Sequence, residues 1–526
     1  MEKTKTDEIH IVRSIGSMDL IDGRSHFALV DDRFFSKRNS QLLDQVMALP
    51  FRCCAAPRKS DASVQAGLWN VSTPKFTVDS ATAGAFVRSL NAGTSIDATA
   101  TVTNGASGDM TVASSLDWQG PASLSLVAFR HVTIAPATTI KNTGSGNLSL
   151  RADAAGIDNA GSVANHGTID WSKSTGIVSL LYDMNGAYSP GTLIGNAWTA
   201  PAYSGLVTQI TGYRLVNSAN DLQEVSLSPG GNFALGRDIE ARAGVRQIGS
   251  TEAPFSGQFD GMGHKVSHLG SGLFGVVGTA GIVRNVGIVD AAYYGYGAVG
   301  FVADTNYGTV AHAYSTGTIS SESITDLPGV GGLVGTNYGT VQRSWSSVGI
   351  SGEGYLGGLV GYNVSGANIR ESYATGSVDQ FGHGGPGGLV GINEGLISAS
   401  YATGNTSASS SCGDCGGYFT GGGGLAYYQT STGRIEQSFS TGLISQYYGI
   451  PSAVVGANGG TIASNVYYDK ETSRATQSEI EVNGLTTSQM SRPESFGASW
   501  DFSSNGTWAI PACETHPVLR WRLGPL

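Results

Sequence analysis

Gly332-Leu-Val-Gly-Thr-Asn337 returns as Gly358-Leu-Val-Gly-Tyr-Asn363 and as Gly388-Leu-Val-Gly-Ile-Asn393. Looser copies read FVADTN at 301–306, GLAYYQ at 424–429 and AVVGAN at 453–458. The terminal amides Asn306, Asn337, Asn363, Asn393, Gln429 and Asn458 are spaced by 31, 26, 30, 36 and 29 residues, an internal repeat with loop insertions. Four or six residues after each amide stands Val310, Val341, Ile369, Ile397, Ile435 or Ile462. Four residues further on come Tyr314, Trp345, Tyr373, Tyr401, Phe439 and Val466. β-Branched residues and aromatics bounded by glycine favour strands over helix, so each repeat is read as three short strands.

One such unit cannot bury its apolar side chains alone. Stacking units about 4.8 Å apart pairs every strand with its neighbours and lays Leu on Leu and aromatic on aromatic. The recurrent Asn then has two readings: an amide ladder that hydrogen-bonds from unit to unit, or a residue that tolerates a left-handed turn. Gly332, Gly358 and Gly388 belong where the chain turns sharply or lies against the next unit.

Composition agrees. The 526 residues exceed one compact core; 76 glycines and 13 % charged residues disfavour long helices, and 40 % hydrophobic residues disfavour disorder. A net charge of −10 without a basic cluster argues against a nucleic-acid partner. No apolar run reaches the roughly 20 residues of a membrane-spanning helix. Five cysteines are too few for a disulfide framework.

The first 60 residues hold 10 Lys or Arg, 8 Asp or Glu and only two glycines, so residues 1–67 are set apart as a non-solenoid leader compatible with disorder. No export signal is visible there. Residues 68–245 carry short alternating runs such as Asn147-Leu-Ser-Leu150 and are assigned to an irregular solenoid, 246–470 to the regular repeats, and 471–526 to a C-terminal cap.

The repeated Gly-Leu-Val-Gly resembles the GLUG repeat of large bacterial exoproteins of the filamentous haemagglutinin type. GDMTVASSLDW at 108–118, GNLSLRAD at 146–153, YRLVNSANDLQ at 213–223, NFALGRDI at 232–239 and FSGQFDGMGHKV at 255–266 resemble other phrases of that family. NVYYDKETS at 465–473 and HPVLRW at 516–521 resemble its closing segment. The resemblance implies an all-β, right-handed parallel β-helix. It also implies a secreted or cell-surface adhesin that attaches to a host glycan or protein receptor. The family's export by an outer-membrane two-partner secretion transporter uses an amino-terminal domain that is not recognisable in residues 1–67.

Chemistry is sparse. Some GLUG proteins adjoin a metalloprotease domain, yet no His-Glu-x-x-His is present, and His264 and His268 lie in a Gly-rich turn unsuited to a helix. Asp260, Asp290, Asp304 and Glu322 are the carboxylates that a polysaccharide-acting β-helix would use, with Asp260 in an Asp-Gly turn. Cys412-Gly-Asp-Cys415 reads as a local disulfide or free thiols in a loop. No cofactor motif, metal set or catalytic constellation is assigned, and the chain is read as non-enzymatic. In the pairs Tyr293-Tyr294, Tyr427-Tyr428 and Tyr447-Tyr448 one ring should reach solvent. Tyr294, Tyr296, Tyr428 and Tyr448 are therefore the candidate ligand contacts. A polysaccharide-acting enzyme and a structural spacer of a larger exoprotein are the competing readings.

Overall fold

The structure is a computed structural model that describes residues 10–14, 67–102, 107–241, 244–322, 329–409, 421–446, 451–478, 480 and 483–524. It is a parallel β-solenoid. A sixteen-stranded sheet, here the long sheet, runs from end to end, and after the first pair every pairing in it is parallel. The exception is His10–Ser14, which pairs antiparallel with Leu68–Thr73. The rest of the leader lies outside the described residues.

Alternation along each strand builds the interior. Ile96, Leu124, Leu148 and Val178 stand in register on successive strands, and all are buried. Between residues 76 and 194 two small sheets of five and four strands complete each coil. Their place is then taken by a branched fifteen-stranded sheet, here the aromatic sheet, from residue 239 onward and by a seven-stranded sheet, here the amide sheet, from residue 274 onward. A regular repeat thus uses Val334–Asn337 in the amide sheet, Thr340–Gln342 in the long sheet and Trp345–Ser346 in the aromatic sheet. The expected β-branched column lies in the long sheet, with Val310, Val341, Ile369, Ile397, Ile435 and Ile462 paired in sequence.

The recurrent amides form a ladder. Asn306 Nδ2 donates to Asn337 Oδ1 at 2.8 Å, Asn337 to Asn363 at 2.9 Å and Asn363 to Asn393 at 2.9 Å. Asn393 continues to Gln429 at 2.8 Å, and Gln429 to Asn458 at 2.9 Å. The same oxygens close the turn, as when Gly308 N donates to Asn306 Oδ1 at 3.1 Å. None of the six has a positive φ, so left-handed tolerance does not explain them. Left-handed residues form another corner column instead: Asn285, His312, Arg343, Glu371, Ala399 and Gln437. The serine following this corner bonds the next coil, with Ser344 N, Ser372 N and Ser400 N each donating to the next serine's Oγ at 3.2 Å.

The glycines of the motif are held by close approach. A Cβ on Gly358 would lie 2.2 Å from the carbonyl oxygen of Gly388, and one on Gly388 would lie 2.3 Å from that of Gly424. No backbone relaxation confined to one coil can relieve such a contact.

The aromatic register departs from expectation at its end. Tyr314, Trp345, Tyr373, Tyr401 and Phe439 stack with centroids 4.8, 5.9, 4.8 and 4.9 Å apart, but Phe439 pairs with Tyr467 rather than Val466. The turn at Ala463–Asn465 carries one residue more than its counterparts, which sends Val466 into the apolar interior.

Two helices interrupt the coils. Ser80–Asn91 is N-capped by Asp79, whose side chain accepts from Thr82 N at 2.9 Å, and it buries Ala83, Phe86 and Leu90. Ala219–Val225 opens with a capping box between Ser218 and Asp221. The long sheet is unbroken past residue 245, while the apolar interior divides into two clusters, one ending at Leu180 and one beginning at Val216.

After Gly484–Leu485 joins the strand Tyr467–Asp469, the chain turns back along the sides of the coils. Trp508 lies against Phe439 and Tyr401, with centroids 5.8 and 6.3 Å away. Trp521 reaches further, donating to Glu371 O at 2.9 Å. The closing segment therefore covers the aromatic column laterally.

Candidate ligand-binding surface

The amide ladder sets what reaches solvent beside it. Because each Asn points inward, its successor leaves the corner outward: Tyr307 and Tyr338 occupy that position in consecutive coils. Their rings stack at 4.5 Å with 13° between planes, and they are 42 % and 44 % exposed. The residue before each amide forms a second in-register column, Thr336, Tyr362, Ile392 and Tyr428, in which Thr336 and Ile392 are buried, Tyr362 is half-buried and Tyr428 is exposed. Glu394 places its carboxylate beside the Tyr362 phenol and near Tyr338. Burial, and then this carboxylate, push the Tyr362 phenol up to about 12, so it remains a donor at neutral pH. The result is a strip of four tyrosines crossing several coils, with one carboxylate at its edge.

Such a strip offers flat apolar rings with hydroxyls at their rims, the combination that stacks on sugar C–H faces and bonds sugar hydroxyls. Tyr428, 40 % exposed, lies on it, while its neighbour Tyr427 is buried. Tyr294 and Tyr296 lie elsewhere, at the end of the aromatic-sheet strand Gly287–Gly295. Both are about two-thirds exposed, at 71 % and 67 %, and both hydroxyls donate to the Glu322 carboxylate, Tyr296 at 2.7 Å. Their phenols are thus occupied by one acceptor. Tyr448, Cys412 and Cys415 lie outside the described residues. Tyr307, Tyr338 and Tyr362 were missed, although each is adjacent in sequence to a ladder amide.

A second concavity of about 540 Å³ opens where the returning segment meets the coil corners, lined by His312, Tyr314, Arg343, Trp345 and Trp521 among others. Its arginine is already engaged, while the buried His312 Nδ1 has no hydrogen-bond partner. Arg343 Nε donates to Glu371 Oε2 at 2.8 Å, and its guanidinium sits 4.2 Å over the Tyr203 ring. Burial, reinforced by Arg343, lowers the His312 imidazole to about 4, so it is neutral at physiological pH. This groove reads as the seam that locks the closing segment onto the coils.

Asp260, Asp304 and Glu322, three of the carboxylates considered for catalysis, are separately engaged. Asp260 is 1 % exposed, pairs with Arg284 at 2.6 Å and accepts from Asn285 Nδ2 at 3.0 Å. Asp290 sits in a left-handed turn. Asp304 accepts from Gln247 Nε2 at 2.6 Å, and burial pushes its carboxyl up to about 7 from an ordinary 3.8. The folded chain therefore holds a proton here that the unfolded chain has released between those pH values. The stability from this group is full below pH 4 and lost as pH rises through 7. Asp304→Asn should flatten the decline in unfolding free energy between pH 5 and pH 8, by about 3 kcal/mol relative to the parent chain. An unchanged decline would show that Asp304 does not titrate there.

Comparison with known proteins adds three findings. The GLUG motif family matches residues 352–379, which trace one full coil from Gly352 to Asp379. Halomucin of Haloquadratum walsbyi is 33 % identical over 153 residues, covering 24 % of this chain and 2 % of halomucin, so the chain spans a very small part of that relative. Among solved structures, a candidate immunoglobulin A1 protease from Bacteroides ovatus superimposes with a TM-score of 0.38 and 18 % identity, over 59 % of this chain and 92 % of that one. A structure named IgA1 protease gives 0.36 and 18 %, over 52 % of this chain and 22 % of its own length. No helix among the described residues is long and apolar enough to cross a membrane.

Proposed function

We propose that this chain is a surface-exposed or secreted β-solenoid that attaches to glycan-bearing host or matrix surfaces without a catalytic step. The observation that carries this reading is the tyrosine strip of exposed Tyr307, Tyr338 and Tyr428 with half-buried Tyr362 on a rigid, laddered sheet. Repeating shallow contacts on one scaffold gain strength by avidity, and ordering costs are low because the backbone is fixed. The GLUG match and the partial likeness to halomucin support a place among GLUG-containing exoproteins. Export through an outer-membrane two-partner transporter, and adhesion of the filamentous haemagglutinin kind, belong to this same proposal.

The test is binding of the purified chain to a glycan array and to cultured cell layers before and after enzymatic deglycosylation. Retention on native layers with loss on deglycosylated ones is expected. Equal retention on both, or none on either, would overturn the proposal.

A further inference from the structure

The division between the two apolar interiors is filled by a polar layer. Asp153, Asp183, Asn217 and Asp221 are all buried there. Within it Asp153, Asp158 and Asp183 bring one carboxylate oxygen each within 4.8 Å of one another. Asp153 and Asp183 are fully buried, and none of the three makes an ion pair with a described Lys or Arg. Nearby, Arg237 is turned to Gly156 O at 3.4 Å and Arg151 to Gly236 O.

Three buried oxygens around this cluster have no partner: Asp183 Oδ1, Asn217 Oδ1 and Asn159 Oδ1. Asn217 is 6 % exposed, and its side chain reaches into the cluster, with Nδ2 2.9 Å from both Asp153 Oδ2 and Asp158 Oδ1. Amide nitrogen and oxygen exchange places by a half-turn, so the same side chain can present its orphaned oxygen to the point where the carboxylates converge. Leaving three oxygens unpaired among three carboxylates is costly in a buried layer. A cation removes both costs at once.

We infer that Asp153, Asp158 and Asp183, completed by the side-chain oxygen of Asn217, bind a calcium ion that ties successive coils together at the junction of the two interiors. The donor set is all oxygen, which selects a hard cation. Calcium accepts the irregular, all-oxygen sets that carboxylates and a side-chain amide from separate coils supply, whereas magnesium demands near-ideal octahedral geometry and keeps its waters. The ligands come from the loop at 153–158, from the end of the strand Val178–Asp183, and from the residue after the strand Ile210–Val216. Those two strands and Leu148–Arg151 are consecutive in the long sheet, so the ion crosslinks three coils.

The test uses the full chain, stripped with chelator and titrated with calcium chloride, followed by calorimetry and thermal melting. One calcium per chain is expected, with a dissociation constant in or below the range of about 0.1–1 mM typical of extracellular modules, and a melting rise of about 5 °C. Magnesium chloride at the same concentration should give a smaller rise. In Asp158→Asn, whose side chain is exposed and whose loss should not unfold the chain, affinity should fall at least tenfold and the rise should vanish. Asp183→Asn should do the same with a calcium-free melt no lower than the parent's. Absence of binding up to about 10 mM calcium in the folded parent, or an equal rise in Asp158→Asn, would overturn the inference.

Discussion

Asn363→Leu is expected to lower the stability of the regular coils by about 3 kcal/mol, measured as a shift in the denaturant midpoint. Asn363 is fully buried, accepts from Asn337 Nδ2 and donates to Asn393 Oδ1, so the substitution breaks two rungs at once. Leu has the same number of side-chain heavy atoms in the same branched arrangement, so the substitution leaves no cavity behind. Asn337 Nδ2 would retain only the long contacts to Gly339 O at 3.3 Å and Asn368 O at 3.4 Å. Asn393 Oδ1 would lose the amide of Asn363. Coils interact only with neighbours, so the weak point should open locally and reduce cooperativity rather than unfold the remote end. The terminal rung is the control: Asn458 is exposed, and Asn458→Leu should cost less than about 1 kcal/mol. Equal losses at both positions would mean that the ladder is a by-product of stacking and not a source of stability.

Trp508→Ala should be costlier still, about 4 kcal/mol in the closing segment. Trp508 is fully buried and stacks on Trp500 at 4.4 Å, while its other neighbours are Phe439 and Tyr401 of the aromatic column. Alanine leaves a cavity among three rings, and the strand pair Trp508–Ala509 with Val518–Leu519 loses its anchor. Limited proteolysis should then cut between residues 484 and 524 while the coils stay resistant. If the closing segment resists protease as in the parent chain, the seam around Trp521 and Arg522 holds it without Trp508.

What could be read from the sequence was what recurs. The amides, the β-branched column and the glycines of Gly-Leu-Val-Gly meet their own equivalents one coil away, so spacing alone exposed them. The serine column recurs too, at Ser344, Ser372, Ser400 and Ser438, but serine is frequent enough here to hide it. Contacts without a period left no trace. Trp521 reaches Glu371 across 150 residues, and Tyr203 reaches the ring-stacked Arg343 from a connection outside the regular coils. Tyr467 replaced Val466 because one added turn residue flips a strand's faces. For the ligand surface, the rule that one tyrosine of a pair faces out pointed to Tyr428 and Tyr294. It could not reveal the Glu322 carboxylate that engages Tyr294 and Tyr296, nor the single tyrosines beside the ladder. The acidic layer escaped notice because Asp153, Asp158 and Asp183 are ordinary turn residues until the coils stack.

The attachment reading stands or falls on the strip, and Tyr307→Ala combined with Tyr338→Ala and Tyr428→Ala tests it most directly. All three side chains are more than a third exposed, so circular dichroism and melting temperature should match the parent chain. Binding to the glycan surfaces that retain the parent should fall at least tenfold, from the loss of two or three ring contacts at about 0.5–1.5 kcal/mol each. Full binding by this folded variant would contradict the assignment of attachment to the tyrosine strip.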